Sequence, residues 1–276
     1  MGQGTFDAER LFLDKWEMYK ALSSSTIDCK LPLTEALTES SLRHMLLDVE
    51  AIYVKPVNTW GGEGITFVTR VQNPGSQERL YQTKDSSGNQ QSGSIDVIVH
   101  SILRDYAGIP SIVQQSAPLL QLESAPFDVR VLMQREADGE WTYAGSLVRR
   151  GSATSIVSNI GKSGGAVIPL SEALRAAFPL DKHKRRGVRG RCKQCGYQVC
   201  RILDGYHAFD EIGLDFGIDA DGQVWLIEVN TNDALGGPSH ELFLQLPDKE
   251  LHRQIAERHR SRRVKTALSI LEGIFE

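Results

Sequence analysis

The chain has 276 residues, of which 41% are hydrophobic and 24% charged, and its formal net charge is −4. This balance is that of an ordinary globular protein and excludes a disordered tail, a collagen and a small disulfide-stapled scaffold. No apolar run approaches the ~20 residues of a membrane-spanning helix, and the first residues lack the apolar segment of an export signal. We therefore expect a cytoplasmic protein without a membrane partner, and the net charge gives no support for a nucleic-acid partner.

The first part of the chain mixes helical and strand-like patterns of apolar residues. Spacings of three and four residues predict helices, whereas short β-rich runs bounded by turn residues predict strands. The predicted elements are helices near 11–22, 42–49 and 95–106, and strands at 51–55, 65–71 and 111–115. The polar stretch 75–93 predicts strand ends and a loose hairpin tip.

The second part begins with longer strand patterns and ends in a charged amphipathic helix. Its predicted elements are strands at 127–136, 140–150, 211–219 and 223–230, and helices near 171–178, 188–209 and 249–272. Asp138-Gly139 and Asp221-Gly222 each predict a hairpin turn. Antiparallel strands beside helices favour an α+β fold. Periodicity breaks at 116–126, which predicts an N-terminal lobe over 1–120 and a C-terminal lobe over 121–276.

A glycine-rich loop follows the strand that ends at Lys55. Gly61, Gly62 and Gly64 would let backbone N–H groups approach phosphate oxygens, and the lysine would add a mobile positive charge. The spacing is neither that of a P-loop nor that of a dinucleotide fingerprint. A simple hairpin with glycines in its turn is the alternative.

Three oxygen-bearing side chains meet in the last predicted hairpin. Glu228 and Asn230 lie two apart and so share one strand face, and counting outward from the turn places Glu228 opposite Asp215. Two carboxylates and an amide oxygen suit Mg²⁺, which also takes phosphates and water. Ordinary surface polarity is the alternative, although Glu228 stands among apolar residues where an unpartnered carboxylate is costly.

Three further groups of residues carry weaker signals. Asp128 and Arg130 share a strand face, so the arginine could clamp a phosphate with the aspartate as its orienter, or the two could form a structural pair. The cysteines near the basic run 182–193 predict packed, reduced thiols rather than a zinc site, because no second ligand pair follows at zinc spacing. The basic run itself favours a solvated helix face over a patch that steers an acidic substrate.

In their order and spacing, these residues resemble the ATP-grasp superfamily, and more narrowly its YheC/YheD-type, endospore coat-associated branch. The segments that carry the resemblance are LDKWEMYKAL, LPLTEAL, YVKPVNTWGGEGI, SIVQQSAPLLQ, FDVRVLMQREADGEWTYAGSLVRRG, VSNIGKSGGAVIP and EIGLDFGIDADGQVWLIEVNTN. They span roughly residues 14–237. The resemblance implies two α+β lobes enclosing an ATP cleft, with Mg²⁺ as a second cofactor.

The resemblance also implies a role for each motif residue. The ATP phosphates would be contacted by Lys15, Lys55 and the loop of Gly61, Gly62 and Gly64, and adenine by the hinge residues Gln114, Gln115, Ser116 and Ala117. Mg²⁺ would be held by Asp215, Glu228 and Asn230. The γ-phosphate would be reached by Arg130, and the acceptor or the transferred phosphate by Arg149 and Asn159.

The activity implied by the resemblance is the ligation of a small-molecule or peptide carboxylate to an amine through an acylphosphate. An ATP-binding structural or regulatory protein without turnover, or an ATP-grasp kinase, is the alternative. The family's separate N-terminal domain is not expected before Lys15, so a partner protein could supply that part of a substrate site. Relatives that ligate D-alanine carry an arginine at the position of Gly213, so D-Ala–D-Ala ligation is not expected.

Overall fold

The computed structural model of the chain describes residues 6–59, 61–72, 79–151, 165–231 and 239–274. These residues form two antiparallel sheets with helices packed on their faces. The α+β class predicted from the sequence is confirmed. In the described ranges, no helix combines the length and the apolar character that a bilayer crossing requires.

The first sheet has six strands, which come from residues before 116. The elements of this part are α1 (Lys15–Ser23), β1 (Thr34–Ala36), α2 (Glu39–Asp48), β2 (Ala51–Pro56), β3 (Thr66–Val71), β4 (Leu80–Asp85), β5 (Gln90–Gly93), α3 (Ile95–Asp105) and β6 (Ser111–Gln115). The strands are ordered β1-β6-β2-β3-β4-β5. Apolar residues of α2 and α3 pack on β2 and β3 to form the core of this sheet.

The second sheet is built from residues after 120. Its elements are β7 (Gln121–Leu122), β8 (Ala125–Arg135), β9 (Trp141–Arg150), β10 (Ala166–Pro169), α4 (Leu170–Ala177), α5 (Lys182–Leu203), β11 (Glu211–Ile218), β12 (Val224–Asn230), a 3₁₀ helix (Ser239–Gln245) and α6 (Lys249–Ile274). The strand order is β10-β9-β8-β11-β12, with β7 on β8. Helices α1, α4 and α5 cover one face, and the 3₁₀ helix and α6 cover the other.

Both predicted Asp-Gly turns connect the strands that they were expected to connect. In each hairpin the loop has three residues rather than two, because Glu136 N–H donates to Glu140 O and Asp219 N–H donates to Gln223 O. A β-bulge further along each hairpin then restores the register. Bulges of this kind add one residue to one strand and re-aim the side chains beyond it.

Two sequence predictions in the helical layer need correction. Helix α5 begins at Lys182 rather than near 188, because the Asp181 carboxylate accepts a hydrogen bond from the N–H of Lys184 and caps the helix. The prediction of reduced thiols is wrong for Cys195, which forms a disulfide with Cys29 across 166 residues of chain. Cys192 and Cys200 are buried free thiols, as expected.

Helix α1 lies where the two sheets meet. Its buried residues Met18 and Leu22 belong to the core of the second sheet, although they precede every strand of the first. Helix α1 also contacts β1 and β6 of the first sheet. This position places Lys15, the first residue of the helix, at the mouth of the space between the sheets.

Candidate functional site

A cleft of about 1380 Å³ lies between the two sheets, and residues of both line it. The predicted site residues on its wall are Lys15, Lys55, Gly61, Gly62, Gln114, Gln115, Ser116, Ala117, Arg130, Arg149, Asp215, Glu228 and Asn230. Gly64 lies in the same glycine loop, against Pro56. Asn159 lies outside the described residues.

Lys55 is the last residue but one of strand β2, and its buried side chain lines the cleft. Its Nζ donates a 2.7 Å hydrogen bond to Oε1 of Gln114, the neighbouring strand residue. Burial lowers the pKa of Lys55 to about 8; the charge of Glu228 raises this pKa and that of Lys15 lowers it. A lysine held this way has lost most of its water, so an anion that enters the cleft meets a weakly screened charge.

Lys15 connects the glycine loop with the strand that carries Glu228. The Asp14 side chain caps α1 by accepting from the N–H of Glu17, which fixes the direction of the helix. The Nζ of Lys15 donates to the carbonyl of Thr59, at the start of the glycine loop, and lies 3.7 Å from Oε1 of Glu228. Both lysines therefore stand within electrostatic range of the predicted metal residues.

The glycine loop between β2 and β3 has the backbone conformation that its glycines predict. Gly61, Gly62 and Gly64 have φ values of 66°, 77° and 66°, a region that residues with a Cβ rarely adopt. The Tyr106 hydroxyl, from the end of α3, donates to the carbonyl of Gly64 at 2.6 Å and anchors the end of the loop. The loop is thus fixed at its end and lines the cleft with Gly61 and Gly62.

The hinge residues already use part of their hydrogen-bonding capacity inside the protein. The N–H groups of Gln115 and Ser116 donate to the carbonyls of Leu33 and Ala51. These bonds join β6 to β1 and β2 and hold the hinge against the cleft. These two N–H groups are therefore already used inside the fold, and the contact of the hinge with adenine stays a prediction.

A buried ion-pair network forms the floor of the cleft on β8, β9 and β11. Asp215 accepts from Nε of Arg130 and, at 3.0 Å, from its Nη2, and the Arg149 guanidinium lies 2.8 Å from the same carboxylate. Arg149 also makes two 2.8 Å hydrogen bonds to Asp128, directly opposite on the neighbouring strand. Asp215, rather than the expected Asp128, is thus the carboxylate that grips Arg130 in this network.

The charges in this network set the ionisation of its members. Burial would raise the pKa of Asp215, but the charges and hydrogen bonds of Arg130 and Arg149 outweigh it and hold the pKa below its usual value. Burial would lower the pKa of Arg149, and the two carboxylates beside it raise that pKa instead. Asp215 is therefore ionised at neutral pH, where it lies against two guanidinium groups.

Gly213, two residues before Asp215, makes room for the arginine of the neighbouring strand. A Cβ at Gly213 would lie 2.7 Å from Oγ of Ser239 and 3.2 Å from Nη1 of Arg130. The space above this position is thus filled by Arg130 and by the 3₁₀ helix. This geometry explains why glycine stands there.

The three predicted metal residues lie together at the end of the β11–β12 hairpin. Asp215 is paired with Glu228 across the hairpin, as counting from the turn predicts, and Nδ2 of Asn230 donates to Oδ2 of Asp215 at 3.2 Å. This all-oxygen donor set fits Mg²⁺. Glu228 is half-buried with its carboxylate at the cleft, whereas both oxygens of Asp215 already accept from guanidinium groups, so its role as a ligand stays a prediction.

The fold and the cleft together are those of ATP-grasp proteins. A family model described as YheC/D like ATP-grasp matches residues 5–260, and the chain belongs to that family. The chain is 25% identical over 235 residues to the endospore coat-associated protein YheD of Bacillus subtilis (strain 168), covering 84% of this chain and 50% of YheD. It is 26% identical over 231 residues to YheC of the same strain, covering 79% and 59%. The chain therefore spans only about half of these curated relatives.

Among solved structures, the chain is similar in fold to the D-cycloserine synthetase DcsG, with 13% identity and a TM-score of 0.49 over 89% of this chain and 70% of that one. It is also similar to an ADP complex of N5-carboxyaminoimidazole synthetase from Staphylococcus aureus, with 10% identity and a TM-score of 0.47. This similarity covers 83% of this chain and 47% of the synthetase chain.

Proposed function

We propose that the protein is an ATP- and Mg²⁺-dependent ligase that joins a carboxylate to an amine through an acylphosphate. One observation supports this most strongly: Lys15, Lys55, Arg130 and Glu228 line a single cleft, and Nζ of Lys15 lies 3.7 Å from Oε1 of Glu228. Phosphoryl transfer requires positioning and charge neutralisation more than a protein nucleophile. The two lysines and Arg130 would supply positive charge to a bound triphosphate, and Glu228 would hold Mg²⁺ beside it.

In the proposed reaction, an oxygen of the substrate carboxylate attacks the γ-phosphorus of ATP, and the bond to the β-phosphate oxygen breaks to release ADP. The amine then attacks the acyl carbon, and phosphate leaves as the amide forms. Lys55, Lys15 and the N–H groups of Gly61 and Gly62 would bind the phosphates, and Arg130 would stabilise the transferred group. Mg²⁺, held by Glu228 and Asn230 with Asp215 beside them, would neutralise phosphate charge.

The size of the cleft supports a reaction of two substrates. At about 1380 Å³ it exceeds the roughly 300–1,000 Å³ of pockets that hold one drug-sized ligand. Beyond Arg130 the wall continues into the 3₁₀ helix, with the polar side chains of Glu241 and Gln245. We propose that a small-molecule or peptide carboxylate and its amine acceptor occupy this part of the cleft.

The test is an assay for hydroxamate formation. Purified protein is incubated with ATP, Mg²⁺, pools of amino acids or short peptides, and hydroxylamine, which captures acylphosphates as hydroxamates. We expect ADP and phosphate to appear in step with a hydroxamate. A stable phosphorylated product without hydroxamate would instead indicate a kinase, and nucleotide binding without turnover in any pool would indicate a structural or regulatory protein.

The lowered pKa of Lys55 predicts that nucleotide binding weakens in alkaline solution. With a pKa of about 8 in the unliganded protein, the lysine is mostly charged at pH 7 and about nine-tenths neutral at pH 9. The dissociation constant for a non-hydrolysable ATP analogue should therefore rise about tenfold between these pH values, measured by calorimetry. Lys55→Arg stays charged over this range and should bind with a flatter pH profile. An equal slope in both proteins would contradict the assignment.

A further inference from the structure

A second cluster of titratable side chains lies where β11 begins, apart from the residues assigned to ATP and Mg²⁺. Glu211 is the first residue of β11, and its side chain is only 2% exposed. Nδ1 of His240, in the 3₁₀ helix, lies 3.2 Å from its Oε1, and Nδ1 of His259, in α6, lies 3.5 Å from its Oε2. The centres of the two imidazole rings are 4.3 Å apart.

We propose that Glu211, His240 and His259 bind one divalent transition-metal ion of the zinc class. One carboxylate and two imidazoles are the ligand set of zinc sites with three protein ligands and an open fourth position. Imidazole nitrogen selects zinc, nickel, copper or iron, whereas Mg²⁺ prefers oxygen ligands. The site is thus chemically distinct from the all-oxygen set around Glu228.

The distances between the donor atoms suit a shared metal ion. Ligands at 2.0–2.1 Å around a tetrahedral zinc are about 3.3–3.4 Å apart. The two observed separations between nitrogen and carboxylate oxygen, 3.2 Å and 3.5 Å, lie on either side of this value. One donor atom from each of the three residues lies within 4.8 Å of the others. Small side-chain rotations would therefore complete the coordination.

Gln134 provides an independent observation at the same place. This residue is 2% exposed, and its Nε2 donates to Oε2 of Glu211 and to the carbonyl of Ile255. Its Oε1 is buried and has no hydrogen-bond partner among the described residues. Exchanging the amide oxygen and nitrogen of Gln134 would point the oxygen at Oε2 of Glu211 and at the carbonyl of Ile255, which are both acceptors. A water in the open position of the metal would give the oxygen a donor.

Glu211 is buried, and its carboxylate is in contact with both imidazoles. A metal-free hydrogen-bonded cluster of the same three side chains is the competing explanation, and the test below distinguishes the two. In the metal site, the backbone N–H of His240, which donates to Oε1 of Glu211, would orient the ligating carboxylate.

The proposed ion would join three elements that are distant in the sequence. It would fix the 3₁₀ helix and α6 to the start of β11, next to the cleft. Ser239 precedes His240, and its hydroxyl lies 3.4 Å from Nη1 of Arg130. The metal would thus hold in place the segment that contacts this arginine.

The test uses the full chain without a histidine tag, stripped with a chelator and dialysed against zinc. We expect about one zinc per chain. His240→Asn and His259→Asn should each weaken zinc binding by more than about tenfold. His252→Asn, a histidine on the same helix outside the cluster, is the matched control and should bind as the wild type does. Glu228→Ala should also keep its zinc, so the outcome does not depend on the proposed ligase activity.

Zinc binding that is unchanged in the His240→Asn/His259→Asn double variant, or absent from the wild type, would overturn the proposal. The variants could fail to fold, which circular dichroism would reveal. In that case cobalt absorption of the wild type decides: strong visible bands of a four- or five-coordinate ion support the site, and the weak bands of a six-coordinate ion reject it.

Discussion

Glu228→Ala is expected to reduce Mg²⁺-dependent ATP turnover by about 10²–10³-fold, the usual loss when one group that stabilises the transition state is removed. Its carboxylate stands at the cleft, 3.7 Å from Nζ of Lys15 and within electrostatic range of Lys55. Removing it takes away a magnesium ligand of the proposed site and a negative charge between two lysines. The measurement is ADP release at saturating ATP over a range of Mg²⁺ concentrations.

The same substitution should leave the fold intact. The Glu228 side chain is 36% exposed, and its described ion pair with Lys15 is partly solvated, so its loss costs at most about 1 kcal/mol. Glu228→Gln keeps the size of the side chain and should lose turnover nearly as fully. Glu257→Ala, an exposed glutamate on α6, is the matched control and should turn over normally. Full activity of Glu228→Ala would remove this residue from the metal site.

Measuring the affinity of Glu228→Ala for ATP separates an effect on nucleotide binding from an effect on the chemical step. Without Glu228, the two lysines lose the nearby negative charge that they share. Affinity for ATP in the absence of Mg²⁺ should therefore stay equal or improve, while turnover falls. A parallel loss of both would instead indicate that the substitution disturbs the cleft as a whole.

The pairing of Asp215 with Glu228 could be predicted from the sequence because hairpins have local rules. The Asp221-Gly222 turn fixes the approximate register, and alternation then assigns residues to faces. Next to the turn the predicted register is wrong by one residue, because Asp219 N–H donates to Gln223 O. The β-bulge between Asp215 and Phe216 corrects this difference, so Asp215 pairs with Glu228 as predicted. The same compensation occurs between β8 and β9 and places Asp128 opposite Arg149.

Contacts between distant segments could not be predicted in this way. The disulfide of Cys29 with Cys195 and the cluster of Glu211, His240 and His259 each join elements that no shared turn connects. Apolar periodicity identifies which face of a helix is buried but does not identify what covers it. The packing of α1 against the second sheet was missed for this reason, and with it the closeness of Lys15 to Glu228.

The prediction with the largest effect on stability concerns Asp215. Asp215→Ala is expected to destabilise the protein by about 3–5 kcal/mol, the usual cost of leaving a buried charge without its partner. The Arg130 side chain is 7% exposed, and Asp215 holds it through two hydrogen bonds. In this variant Arg149 still pairs with Asp128. Arg130 is therefore the buried charge that is left without its partner. Urea denaturation monitored by circular dichroism measures the difference, and a loss below about 1 kcal/mol would contradict the buried network.

Two comparisons identify the cause of that loss. In Arg130→Met/Asp215→Leu both charges are replaced by apolar groups, so much of the stability should return while turnover stays absent. The pH dependence has a definite sign, because the pKa of Asp215 is lower in the folded protein than its ordinary value of 3.8. Its stabilisation is present above that value and is lost as the pH falls through the folded pKa, so wild type and Asp215→Ala should converge in acid.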